Sequence, residues 1–110
     1  MSELDAINES IEHSKKIVET ADAVKRLQKN ADFNIIFTDG YLRDYAADMV
    51  QSKALYSMQD DKSQAFIDRQ ITGIGALNYY LNMLLTTGVT AQNALESQEE
   101  EKDYLIREEV

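Results

Sequence analysis

The chain has 110 residues, a net charge of −9, 44% hydrophobic residues and 28% charged ones. That leaves room for one domain with a modest core, or for a few helices that bury surface on assembly, and it is too apolar for a disordered chain. Cysteine is absent, which excludes disulfides, thiolate metal sites and thiol nucleophiles, and the acidic balance disfavours direct binding to phosphate backbones or anionic lipid surfaces.

Proline is absent too, so long uninterrupted helices are available to this chain. Charge is unevenly spread: residues 1–30 carry six acids and five bases, residues 31–95 seven and four, and residues 96–110 seven and two. The opening Met1-Ser2-Glu3-Leu4-Asp5 lacks a basic region followed by an apolar run, so no signal peptide is expected.

The first element predicted is an amphipathic helix from about Ser2 to Asn30. Ser2 with Asp5 three residues on fits a capping pattern, with Asp in place of the usual Glu. Leu4, Ile7, Ile11, Val18 and Ala21, widened by Ile17, Val24 and Leu27, recur at the spacing of one buried face. Lys25, Arg26 and Lys29 suit the negative end of the helix dipole, and Asn30 is a natural stop. The heptad positions 14 and 25 hold Ser14 and Lys25, so the sequence does not indicate an autonomous coiled coil.

The middle segment, Ala31 to Ser57, supports two readings. Asp39-Gly40 between apolar runs is a hairpin signal, yet Leu42, Tyr45, Ala46, Met49 and Val50 follow a helical spacing. An isolated two-stranded hairpin is marginal alone, so a helix bent or broken near Asp39-Gly40 is favoured. After the polar turn Gln59–Ser63, Asp60 or Asp61 is placed to cap a long helix through Phe66, Ile67, Ile71, Ile74, Leu77, Leu81, Leu84 and Leu85. Gly73 and Gly75 inside it suggest close approach of another backbone, and Gly88 could end or kink the helix. From Gln70 to Leu95 there is no charge. Asparagines, threonines and glycines interrupt that run, and the mean hydropathy of 71–89 is only about 1, below that of a membrane span.

No catalytic set emerges. His13 is the single histidine and reads as a solvated helix residue. No serine has a base to activate it, and Gly73-Ile74-Gly75 lacks the rest of a dinucleotide loop. Asp39, Asp44 and Asp48 have no calcium-loop spacing and read as an acidic helix face. No cofactor, metal or small-molecule substrate is expected. The tyrosines Tyr41, Tyr45, Tyr79 and Tyr80 suit an interface, since each joins a large apolar body to a polar tip. The uncharged polar surface between Gln70 and Leu95 points the same way: a lone helix usually turns charges outward, whereas amides and hydroxyls are cheaper to cover with another chain. The expected packing residues are Ile71, Ile74, Tyr79, Tyr80, Leu81 and Leu85, with Tyr41 and Tyr45.

The segments Arg26–Phe33, Gly40-Tyr41, Ala46–Val50, Ser57-Met58-Gln59 and Ile71–Leu77 carry an Asn-x-Asp-Phe, Gly-Tyr and Ile-Gly-Ala-Leu pattern, followed by an acidic carboxyl end. In this the chain resembles small uncharacterised proteins of tailed bacteriophages, over about positions 24–100. The resemblance implies a protein made in the host bacterial cytoplasm, present there or in the virion, and encoded among head or packaging genes; it supplies no catalytic residue.

The fold expected is all-α, a three-helix arrangement or bent helical hairpin with a long last helix, and oligomeric. Residues 1–98 would form a single helical domain and residues 99–110 an acidic helical or frayed tail. The function expected is that of a non-catalytic structural or assembly protein of a phage virion, bound to itself or to a larger phage structural protein. The second class is an acidic inhibitor of a host nucleic-acid enzyme, presenting Glu96, Glu99, Glu100, Glu101, Glu108 and Glu109 with Asp39, Asp44 and Asp48 in place of phosphates.

Overall fold

A computed structural model describes residues 2–109, with the Glu109 side chain left aside. Met1 and Val110, which fall within the expected domain limits, lie outside the described residues. Among these residues there is no strand: the chain is all-α, with α1 (Glu3–Gln28), a second helical stretch over 31–53, and the long α4 (Asp61–Glu109). The hairpin reading of Asp39-Gly40 is thereby set aside. Two compact units are formed, one by the chain up to Lys25 together with Met83 onward, the other by Arg26–Asn82.

In the first unit, the Ser2 hydroxyl accepts from the Asp5 amide at 3.1 Å and the Ser2 amide donates to Asp5 Oδ2 at 3.4 Å. The capping box therefore forms with Asp in the Glu position. Ile7, Ile11, Ala21 and Val24 of α1 are buried, and so is Ser14. Ser14 is the residue that spoils the heptad in the sequence, and its hydroxyl donates to Gln98 Oε1 at 2.9 Å. Facing them on α4 are Gly88 and Ala91, both buried, with Leu84, Leu95, Gln98 and Leu105 half-buried. Ser14 meets Gln98 while Ala21 meets Gly88, so α1 and this part of α4 run antiparallel.

Gly88 does not end α4. Its φ is negative, and a Cβ built on it would overlap the Ala21 Cβ. Close backbone approach thus belongs to Gly88 and not to the two glycines expected to provide it. A Cβ at Gly73 would meet the Tyr41 hydroxyl at 3.4 Å, and one at Gly75 would meet nothing within 4 Å.

In the second unit, Asn30 ends α1 and caps α2 (Ala31–Phe33), its Oδ1 accepting from the Phe33 amide at 2.9 Å. The helix then continues as a π segment over Asn34–Tyr45 before returning to α geometry in α3 (Ala46–Lys53). A π stretch is commonly a single turn, so twelve residues is long. Its sequence fits the wider turn. Phe33, Phe37, Tyr41 and Tyr45 repeat every four residues; at 3.6 residues per turn each step would drift by about 40°, and a wider turn keeps them closer to one line. Phe33 stacks on Phe37 with ring centroids 5.1 Å apart, and Tyr41 on Tyr45 at 5.9 Å. At Asp39-Gly40, where a bend or break is expected, the helix does not break but runs on within this π segment.

The carbonyls at the end of α3 are capped by side-chain amides. Gln59 Nε2 donates to the carbonyls of Lys53 (3.0 Å) and Leu55 (2.6 Å), and Gln64 Nε2 to those of Lys53 (3.1 Å) and Met58 (2.8 Å). A short 3-10 turn, Tyr56–Met58, leads to Asp60, whose Oδ2 accepts from the Ser63 amide at 3.0 Å and starts α4. The Ser63 hydroxyl and amide hold the Asp60 carboxyl below the ordinary carboxylate range. Ile67 is fully buried and Ile74 nearly so, while Lys53 of α3 is ion-paired with Asp68.

Candidate functional site

The covered positions of α4 repeat three and four residues apart, a seven-residue pattern. Ile67, Ile74, Gly88 and Ala91 are buried, and Gln70, Leu77, Leu81, Leu84, Leu95, Gln98, Lys102 and Leu105 are half-buried. Ile71 and Leu85 widen the strip, both half-buried. This face is occupied by the chain itself.

Away from that strip, Thr72, Gly75, Ala76, Tyr79 and Asn82 are exposed in the Arg26–Asn82 unit, and Met83, Thr86, Val89, Thr90 and Asn93 are exposed in the other. Along the sequence charge disappears after Asp68 and Arg69 and returns at Glu96. Tyr79 is 71% exposed and Tyr80 beside it 52%. Two hydroxyls of the 83–93 stretch already donate into their own helix, Thr87 to the Met83 carbonyl at 2.9 Å and Thr90 to that of Thr86 at 3.4 Å. Covering them would leave no donor stranded.

The expected packing residues therefore divide. Ile74 is buried within its own chain. Tyr45 donates its hydroxyl to Gln70 Oε1 at 3.1 Å, and Tyr41 lies against Gly73, so both tyrosines join the π segment to α4. Ile71, Leu81 and Leu85 sit at the flank of the covered face, half-buried. Tyr79 and Tyr80 alone of the set stand out from it. Residues not singled out in the sequence are also exposed: Ile35 at 66% and Ile36 at 60%, on the π segment. Their signal was the adjoining four-residue aromatic repeat, which fixes which side of that segment packs.

The titratable groups are placed separately. His13 is exposed on α1, in a surface hollow formed by Asn8, Glu9, Glu12 and Lys16 of the same helix. Arg43 bridges Asp39 at 3.4 Å and Asp44 at 3.0 Å, and the hydrogen bond and charge of Asp44, helped by Asp39, push its pKa upward. Two of the three middle carboxylates are thus engaged by one guanidinium. Asp48 and the tail acids Glu96, Glu99, Glu100, Glu101 and Glu108 are exposed. Among the described residues no three His, Cys, Asp or Glu side chains are grouped to hold a metal ion, and no helix is long and apolar enough to cross a membrane. No protein-family model, curated protein or solved structure matches this chain.

Proposed function

We propose that this chain is a non-catalytic helical assembly protein of a tailed-phage virion, associated with head, portal or packaging components, and that it works by packing helix faces against other protein chains. The observation that carries the reading is that the exposed positions of α4 carry no charge, from Thr72 to Asn82 in one unit and from Met83 to Asn93 in the other. A helix face turned to water normally carries charge, and a neutral one can be covered without desolvating any. The Arg26–Asn82 unit adds to this: its buried large apolar residues are Ile67 and Ile74, while Ile35, Ile36, Val50, Leu55 and Tyr56 remain exposed. The phage setting is supported by the resemblance in the Asn-x-Asp-Phe, Gly-Tyr and Ile-Gly-Ala-Leu segments.

Light scattering on the full chain tests the reading. The expected result is a mass above 12.5 kDa, or a single chain whose 26–82 unit exchanges its amides rapidly until a partner is added. A compact 12.5 kDa species that melts cooperatively, and whose melting is unaltered by Tyr79→Glu, refutes it.

A further inference from the structure

The π segment Asn34–Tyr45 lies wholly within the Arg26–Asn82 unit, and two repeats compete there for the same inner side. One is the four-residue beat of Phe33, Phe37, Tyr41 and Tyr45, seated with Tyr41 against Gly73 and the Tyr45 hydroxyl on Gln70. The other is the three-and-four spacing of Leu42, Ala46 and Met49, all half-buried, which continues backwards through Thr38 to Ile35. The first repeat prevails in the structure: Phe33 is half-buried, while Thr38 is exposed and Ile35 is 66% exposed. At 3.6 residues per turn the outcome would reverse, with Ile35 within about 20° of Leu42, Phe37 about 140° from it and Phe33 about 180°. Gly40, the one glycine of the segment, is what admits the π turn. A Cβ there would lie 2.7 Å from the Ile35 carbonyl oxygen, five residues back, where a π turn closes. At the amino end the present register is tied by an exposed bond, the Asn34 side-chain amide donating to the Gln28 carbonyl at 2.9 Å.

We propose that Asn34–Tyr45 is a two-state element that passes between this π form and an α form in which Ile35 turns inward and Phe33 and Phe37 turn outward. The passage needs no melting of the helix: each amide exchanges the carbonyl five residues back for the one four back. Each form has its own apolar set to place on the inner side, so neither leaves that side bare. The exchange decides which apolar side chains the unit displays. Ile35 is shown in the π form, Phe33 and Phe37 in the α form, and Ile36, which α geometry sets about 120° from Leu42, in both. The device is a property of this one segment and stands apart from the assembly reading.

Thiol labelling and NMR on the full chain test the exchange. Because the chain has no cysteine, single cysteines report cleanly. Gly40→Ala takes away the room for the π turn and should favour the α form. In that background the labelling rate of Phe33→Cys relative to that of Ile35→Cys should rise about fivefold or more, the shift that one overpacked contact brings, with far-UV circular dichroism unchanged. An unchanged ratio, or faster labelling at both positions together with loss of helix, overturns the inference. The parent chain gives a second reading that does not depend on how Gly40→Ala folds. Relaxation dispersion should show exchange on the microsecond-to-millisecond scale in the amides of residues 34–45, with helical carbon shifts in the minor form. A segment without such exchange, or a minor form with random-coil shifts, overturns it as well.

Discussion

Gly88→Ala should destabilise a helix that almost any other glycine-to-alanine change would strengthen. Gly88 has a negative φ, so its backbone needs no glycine, and the intrinsic helix preference for alanine is worth about 1 kcal/mol. Against that gain stands Ala21, only 3% exposed, whose Cβ occupies the place of the new methyl and whose Cα would lie 3.8 Å from it. Neither methyl can rotate away. Carbon atoms settle roughly 3.5–4.0 Å apart, so α1 and α4 must separate by about 1 Å. With neither methyl free to move, the overpacking cost falls at the upper end of its usual range, about 2–3 kcal/mol, and subtracting the propensity gain leaves a net loss of about 1–2 kcal/mol. Gly75→Ala is the internal control: nothing lies within 4 Å of its added Cβ, and it should gain about 0.5–1 kcal/mol. Moving the methyl across the contact, as Ala21→Gly with Gly88→Ala, should recover most of the loss. Urea unfolding followed by far-UV circular dichroism, at concentrations where the species is one chain, measures all three. A Gly88→Ala chain as stable as the parent, or less affected than Gly75→Ala, refutes the packing argument.

Two further substitutions probe the second unit. Gly40→Ala would bring a Cβ to 2.7 Å from the Ile35 carbonyl oxygen, so the π segment must rewind or distort. The expected outcome is loss of the Tyr45–Gln70 hydrogen bond, a weaker tyrosine signal in near-UV circular dichroism and a cost of about 1–3 kcal/mol; an unchanged near-UV spectrum would contradict it. Asp60 has a carboxyl lowered by Ser63, so its contribution is complete above the unfolded value of about 3.9 and is lost as pH falls through the lower folded value. Asp60→Asn keeps an acceptor for the Ser63 amide but cannot titrate. The gap in melting temperature between parent and variant should therefore narrow below about pH 4, and a gap constant with pH would remove the cap from the acid response.

What was legible in the sequence was local. Ser2 and Asp5, Asn30, and Asp60 announce helix starts and stops because a cap works within three residues, and the Ile7–Ile11 and Ile67–Ile74 spacings reveal faces because a helix repeats within two turns. Two features were hidden for the same reason inverted. Ser14 reads as a flaw in the heptad, since the acceptor that satisfies it, Gln98, lies 84 residues away. Gly88 carries no mark that separates it from Gly75; only Ala21 does so. The π segment was readable in part: the four-residue beat of Phe33, Phe37, Tyr41 and Tyr45 was present, but Leu42, Tyr45, Ala46 and Met49 at α spacing overlay it. As for the candidate surface, the absence of charge between Gln70 and Leu95 located the helix and its unusual side, but not which tyrosines point outward. That depended on Tyr41 and Tyr45 being drawn to Gln70 and Gly73.

The Ser14–Gln98 hydrogen bond has a consequence for how the two helices of the first unit find their alignment. Apolar side chains at a repeating spacing tolerate sliding by one full repeat with little change in contact. A shift of seven residues here would set Ser14 level with Ala91 or Leu105, stranding a buried hydroxyl at a cost of about 1–3 kcal/mol, and would move Ala21 off the only glycine that admits it. The two small layers act together as a lock and a notch. They reject the neighbouring alignments that greasy residues alone would accept, and so give an otherwise slippery pair of helices one position in which to rest.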